Sequence, residues 1–294
     1  MPQVDVNGVR LEYDSFGREN GRPLLLVMGL GAQMIHWDEE FCERLADRGH
    51  WVVRFDNRDA GLSTKFDHVP PPDMGALVAA LAAGERPEVP YTLDDMAEDA
   101  VGLLDHLEVD RAHVCGASMG GMIVQTLAIR HPRRLRSMTS IMSTTGNPDV
   151  PPSTPEAMAA LTSPVPEDLE GYVQRTLAVA RVIGSPGFPF DEARLRERAR
   201  RTFERALHPA GTARQMAAIV AHGNRRPHLE RVSVPALVIH GSDDPLVHVQ
   251  GGHDTHRAIP GAELLLIEGM GHDLPVGAWD RIVDALSAHS ETHH

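Results

Sequence analysis

The chain has 294 residues, 42% of them hydrophobic and 23% charged, enough apolar material to bury a sizeable core and too much for a disordered chain. Asp and Glu number 41 against 28 Lys and Arg, a formal net charge of −13, so the field of the molecule repels phosphate backbones and anionic lipid surfaces. Nucleic acid is therefore excluded as an expected partner. The N-terminal residues lack the basic start and apolar run of a secretory signal, and no later run reaches membrane-spanning length, so the expected location is cytoplasmic. Cys42 and Cys115, the only cysteines, support neither a disulfide framework nor a cysteine zinc site.

In chain order, Asn7-Gly8 separates two short runs of β-formers and predicts a tight hairpin. Pro23 to Met28 is a continuous apolar run ending at Gly29, followed by a helical pattern from about Trp37 to Arg48 and a short strand from Trp51 to Phe55. Thr92, with Asp94 and Asp95 after it, caps a predicted helix whose apolar positions include Met96, Val101, Leu104 and Leu107. Ala112 to Cys115 reads as a buried strand running into the helix that begins Met122-Ile-Val-Gln-Thr-Leu. Leu135 to Met142, Val234 to His240 and Ala262 to Ile267 are further strands, and Trp279 to His289 is a closing helix.

This alternation predicts an α/β fold with a mostly parallel central sheet and helices on both faces. Between Thr144 and Pro227 many prolines fall among helical stretches and no strand is evident. Residues 1–143 and 228–294 are thus expected to form the core, and 144–227 an inserted helical cap. The basic run from Ala193 to Arg205 within it reads as a solvated helical face.

The chemistry gathers at strand ends. Gly116-Ala-Ser118-Met-Gly120 stands between a predicted strand and a predicted helix, where small neighbours allow a crowded turn that presents the serine hydroxyl. The helix N-terminus behind it favours a negative oxygen, and the Met119 N–H is one donor for it. A second donor is expected from the Met28-Gly-Leu-Gly31 loop, with Leu30 as the choice. A serine needs a base, and of 17 histidines His272 stands out, in a glycine-rich loop after a strand; His240 and His36 lie near other strand ends. Asp243 and Asp244 both qualify as the acid that orients the histidine.

Other clusters read as structural. Asp56, Arg58 and Asp59 after a strand are expected to buttress loops, and His248, His253 and His256 to lie on an exposed helix rather than bind metal. Met34, Met122 and Met216 suit either an adaptable pocket or the core. Neither GxxxxGK[ST] nor a strand-associated GxGxxG occurs, so no cofactor and no metal are expected. The terminal His293 and His294 are set aside.

With VMGLGAQ, FDNRDAGLS, CGASMGG, HGSDDP and EGMGH in this order, the chain resembles the α/β-hydrolase superfamily, and within it the esterase group that includes aclacinomycin methylesterase. The resemblance implies a triad of Ser118, Asp244 and His272, oxyanion donors at Leu30 and Met119, and hydrolysis of a small-molecule carboxylic ester, a methyl ester or lactone of polyketide type. The same triad also serves cofactor-free perhydrolases and lyases, and a non-catalytic ligand-binding member is the remaining alternative.

Overall fold

The computed structural model describes residues 2–293, so His294 lies outside the described residues. The Asn7-Gly8 hairpin forms as expected: both residues have positive φ, 47° and 75°, and join β1 (Gln3–Val6) to β2 (Val9–Phe16). The remaining strands are β3 (Arg22–Val27), β4 (His50–Phe55), β5 (Ala112–Ala117), β6 (Leu135–Ile141), β7 (Ala236–Gly241) and β8 (Glu263–Ile267). They form one eight-stranded sheet in the order β1-β2-β4-β3-β5-β6-β7-β8. β1, β2 and β4 pair antiparallel, and all strands from β4 to β8 run parallel.

The central strands are apolar without alternation because both sheet faces are covered. One face packs in a core that includes Leu25, Val27, Val114, Met119, Ile123 and Leu127; the other packs Leu24, Leu26, Cys115, Ile239, Trp279 and Ile282. The first core is closed by α3 (Leu93–His106) and α4 (Met119–Arg130), the second by α1 (Glu39–Asp47) and α11 (Trp279–Thr292). The Thr92 cap on α3 is a full capping box with Asp95. Cys42 and Cys115 are buried and free, and burial pushes the Cys42 thiol up to about 12.

One element has no counterpart in the sequence reading. α2 (Met74–Ala82) forms between β4 and α3, capped by Asp73, whose carboxylate accepts from Gly75 and Ala76 N–H. Its residues are apolar nearly all round and give no amphipathic period, so the pattern that exposes other helices is missing.

The inserted segment after β6 is helical: α5 (Pro155–Leu161), α6 (Leu169–Ile183), α7 (Glu192–Ala206), α8 (Pro209–His222) and α9 (Arg226–Leu229). α10 (Val249–Ala258) follows β7 and returns to the core. The insertion has a small apolar cluster of its own, Val173, Leu177 and Ala199 with Leu169, Tyr172 and Leu195 around it. It joins the core through apolar contacts, Ala218, Ile219 and Leu229 in the first core and Phe188 against the second, and through charged pairs, and here the solvated reading of the basic run needs correction. Arg196 and Arg200 pair along the helix with Glu192, Glu197 and Glu204. Arg194, Arg201 and Arg205 instead cross to Glu40, Glu39 and Asp56 of the core, at 2.8, 2.6 and 2.6 Å. Partners 149 to 162 positions away leave no local trace in a sequence.

The firmest crossing is Arg214 of α8, which donates to both oxygens of Asp59 at 2.8 and 2.9 Å; both side chains are almost fully buried. Tyr91 hydroxyl and Phe66 N–H also donate to Asp59. Burial raises its carboxyl, but these donors outweigh burial and hold it below the ordinary value. Asp59→Ala, which strands the guanidinium, is expected to destabilise the fold by about 3 kcal/mol at neutral pH in urea unfolding. A carboxyl lowered in the folded state contributes stability above its unfolded pKa and loses it as pH falls through the folded one, so the gap between variant and wild type should shrink below about pH 4.

Candidate active site

β3 and β5 are adjacent, yet the chain leaves them in opposite directions across the sheet, which opens a crevice at their C-terminal ends. Ser118 stands there, between β5 and α4, at φ 56° and ψ −118°, a conformation that is costly for a residue with a side chain. Two glycines make the turn possible. A Cβ on Gly116 would meet Gly120 O at 2.0 Å, and one on Gly120 would meet Val27 O at 2.0 Å. Helix α4 therefore presses directly onto the backbone of two strands, and the serine is pushed outward, half-buried while its neighbours are buried.

His272 comes from the loop after β8. Its Nε2 lies 3.0 Å from Ser118 Oγ and its Nδ1 2.7 Å from Asp244 Oδ2. A carboxylate only accepts, so Nδ1 carries the proton and Nε2 is free to accept from the serine. The other oxygen of Asp244 accepts from Leu246 and Val247 N–H, at 2.9 and 2.8 Å, which fixes the carboxylate. Asp243 points elsewhere: it is exposed and accepts from Gly269 N–H at 3.0 Å, bracing the root of the histidine loop.

The Met28–Gly31 loop leans over the serine. A Cβ on Gly29 would lie 3.1 Å from Ser118 Cβ, so the backbone of this loop runs against the serine's own side chain. Asn57 holds Met28 O at 2.9 Å, and Gln215 of α8 accepts from Gly31 N–H at 2.7 Å. Between these two anchors the Leu30 N–H makes no hydrogen bond to any described residue. Met119 N–H opens α4 and, as the first helical residue, has no partner within the helix.

The other histidines are placed apart from the serine. His240 is fully buried behind Asp244, with Nε2 donating to Val247 O at 2.8 Å, and burial lowers its pKa. His36 sits beneath the inserted helices with Nε2 3.1 Å from Thr202 Oγ1; burial and then the charge of Arg198 push it down to about 3, so it is neutral. His248 caps α10 and His253 and His256 lie on it, half-buried rather than exposed because α10 packs onto β7 and β8. Asp56 and Asp59 buttress loops as expected, and Arg58 forms a two-pronged pair with Asp99 at 2.7 Å. Met34 and Met122 belong to the core, and Met216 is half-buried. Glu263, His289 and His293 have donor atoms within 4.8 Å of one another, but β8 begins at Glu263, at the opposite end of the sheet.

Sequence reasoning missed the residues that hold the histidine loop. His272 N–H donates to Ile183 O at 2.7 Å, Gly271 N–H to Ser185 Oγ at 2.9 Å, and Ser185 Oγ in turn donates to Asp273. Gly187 N–H donates to Gly269 O at 2.9 Å, with the two glycines so close that a Cβ on either would clash. The end of α6 is thus pinned backbone to backbone on the loop that carries His272. Ser185→Ala is expected to speed amide exchange in a peptide spanning 269–273 by about 5-fold, the worth of one hydrogen bond, while peptides of α4 stay unchanged. Equal rates in both proteins would mean that Ser185 does not hold the loop.

Residues 22–276 match the family model described as the alpha/beta hydrolase fold. The chain is 32% identical to rhodomycin D methylesterase DauP of Streptomyces sp. strain C5, covering 96% of this chain and 95% of the relative. It is 28% identical to 3-oxoadipate enol-lactonase 2 of Acinetobacter baylyi, over 83% of this chain and 79% of that one. Among solved structures it is similar in fold to the enol-lactonase of Burkholderia xenovorans LB400, with a TM-score of 0.74, 24% identity and coverage of 98% and 99%. No helix of the described residues is long and apolar enough to cross a membrane.

Proposed function

The chain belongs to the alpha/beta hydrolase fold family, and from that membership we propose that it is a serine esterase acting on a small-molecule carboxylic ester, either a methyl ester or a lactone of polyketide type. The observation that carries the reading is the hydrogen-bonded line from Asp244 through His272 to Ser118, at 2.7 and 3.0 Å. Similarity to a methylesterase over nearly the whole of both chains supports the choice of bond.

In this mechanism Ser118 Oγ attacks the ester carbonyl carbon as His272 Nε2 takes its proton. The carbonyl oxygen becomes an oxyanion held by Leu30 and Met119 N–H. His272 returns the proton to the leaving alkoxide, releasing the alcohol and leaving an acyl-Ser118. A water then loses its proton to His272 and attacks the acyl carbon, and the acid departs as Ser118 regains its proton. Asp244 keeps the imidazole in the tautomer required and stabilises the imidazolium formed twice in the cycle.

Fluorophosphonate labelling followed by peptide mapping should place the adduct on Ser118, and Ser118→Ala should lower kcat on short-chain esters by roughly 10⁴-fold or more. Labelling at another residue, or undiminished turnover in Ser118→Ala, would put the nucleophile elsewhere. Asp244→Asn is expected to cost about 10⁴-fold in kcat and Asp243→Asn far less, since only the former reverses the tautomer preference of His272. A larger loss in Asp243→Asn would reverse the assignment of the acid.

A further inference from the structure

Helix α7 carries six arginines, and five of them are paired, either to glutamates along the helix or to acids of the core. Arg198 is the exception: among the described residues no hydrogen bond or ion pair reaches its guanidinium. Its place on the helix is defined by Thr202, one turn on, whose hydroxyl donates to Arg198 O and meets His36 on the core. Positions four apart share a helix face, so Arg198 is on the side of α7 turned toward the sheet.

Arg198 is half-buried, and burial lowers its pKa. Its charge is felt by His36 on the side of the oxyanion loop and by Asp273, the residue after His272, on the other. Asp273 and Asp38 lie within electrostatic reach of it, but neither is close enough to form an ion pair. Asp273 is already engaged by Ser185, and Asp38 caps α1 and faces Arg194.

None of the guanidinium nitrogens of Arg198 is buried without a partner, so their N–H donors stay open to an acceptor that a ligand brings. Its flat fork matches a planar oxyanion in two-point contact, a geometry a lysine does not reproduce. We propose that Arg198 is the anion-recognising residue of the substrate pocket, and that the ester attacked by Ser118 carries a planar oxyanion, a carboxylate or an ionised phenol, on the portion lying under α7. This assignment rests on the esterase reading above and names its substrate class.

The test compares the monomethyl and dimethyl esters of one dicarboxylic acid, and a methyl ester bearing an ionised nitrophenol against its methyl ether. Wild type should prefer the anionic member of a pair, and Arg198→Gln should lower that preference in kcat/KM about 10-fold or more, chiefly through KM. Arg198→Lys should recover only part of it. A loss confined to the first pair assigns the site to carboxylates, and one confined to the second assigns it to phenolates. A preference unchanged within about 2-fold in both pairs, whether both members slow or neither does, overturns the proposal. Calorimetric titration of the same esters into Ser118→Ala protein, with and without Arg198→Gln, reads recognition in the absence of turnover. If wild type hydrolyses none of the esters, the esterase reading falls, and these titrations still decide the role of Arg198: selective weakening of the anionic ester upholds it, and equal binding by both proteins refutes it.

Discussion

A serine held at φ 56° at the end of the central strand is the constraint from which the site follows. Such a backbone survives only where its surroundings over-determine it. Here Gly116 and Gly120 let α4 press against β5 and the end of β3, and Ser118 N–H is still bonded as a continuation of the sheet, to Ile141 O at 2.9 Å. With the turn fixed, the hydroxyl points out of the sheet at the crevice between β3 and β5. Gly29 allows the neighbouring loop to close against it. Everything else in the site is a matter of bringing groups to a point already defined.

The groups are brought there by two loops with different supports. The Met28–Gly31 loop is anchored from below by Asn57 and from above by Gln215, so its geometry depends on the inserted helices as well as on the sheet. The histidine loop is braced by Asp243 at its root and by Ile183 and Ser185 at its tip. The insertion is therefore more than a cover over the pocket. It contributes hydrogen bonds to both loops that flank Ser118, and a change in its seating would be felt at Ser118 and His272.

That seating mixes apolar and charged contacts. The insertion's own apolar cluster is small, and charged pairs join it to the core beside the apolar contacts of Ala218, Ile219, Leu229 and Phe188. The exposed ones, such as Arg201 with Glu39, are each worth little. The buried Arg214 with Asp59 is different in kind, because neither charge tolerates the loss of the other. In this setting Arg198, the arginine of α7 with no partner, stands out by contrast with its neighbours.

The sheet, its helices and the strand–serine–helix turn were legible in the sequence because each depends on local or strongly patterned features: continuous apolar runs, a Thr92 helix cap, an Asn-Gly turn, a GxSxG between strand and helix. Helix α2 escaped because it is apolar on too many sides to show a period. Residues alone left Asp243 and Asp244 equivalent, since both follow the same strand and precede the same turn; a resemblance favoured Asp244, and in three dimensions it is Asp244 that meets His272 while Asp243 braces Gly269. The basic run of α7 looked solvated because its core partners lie some 150 positions away in the chain. Gln215, Ser185 and Arg198 carried no signal at all, since a side chain's part in a pocket depends on which distant backbone it faces, and only the packing of the inserted helices on the sheet decides that.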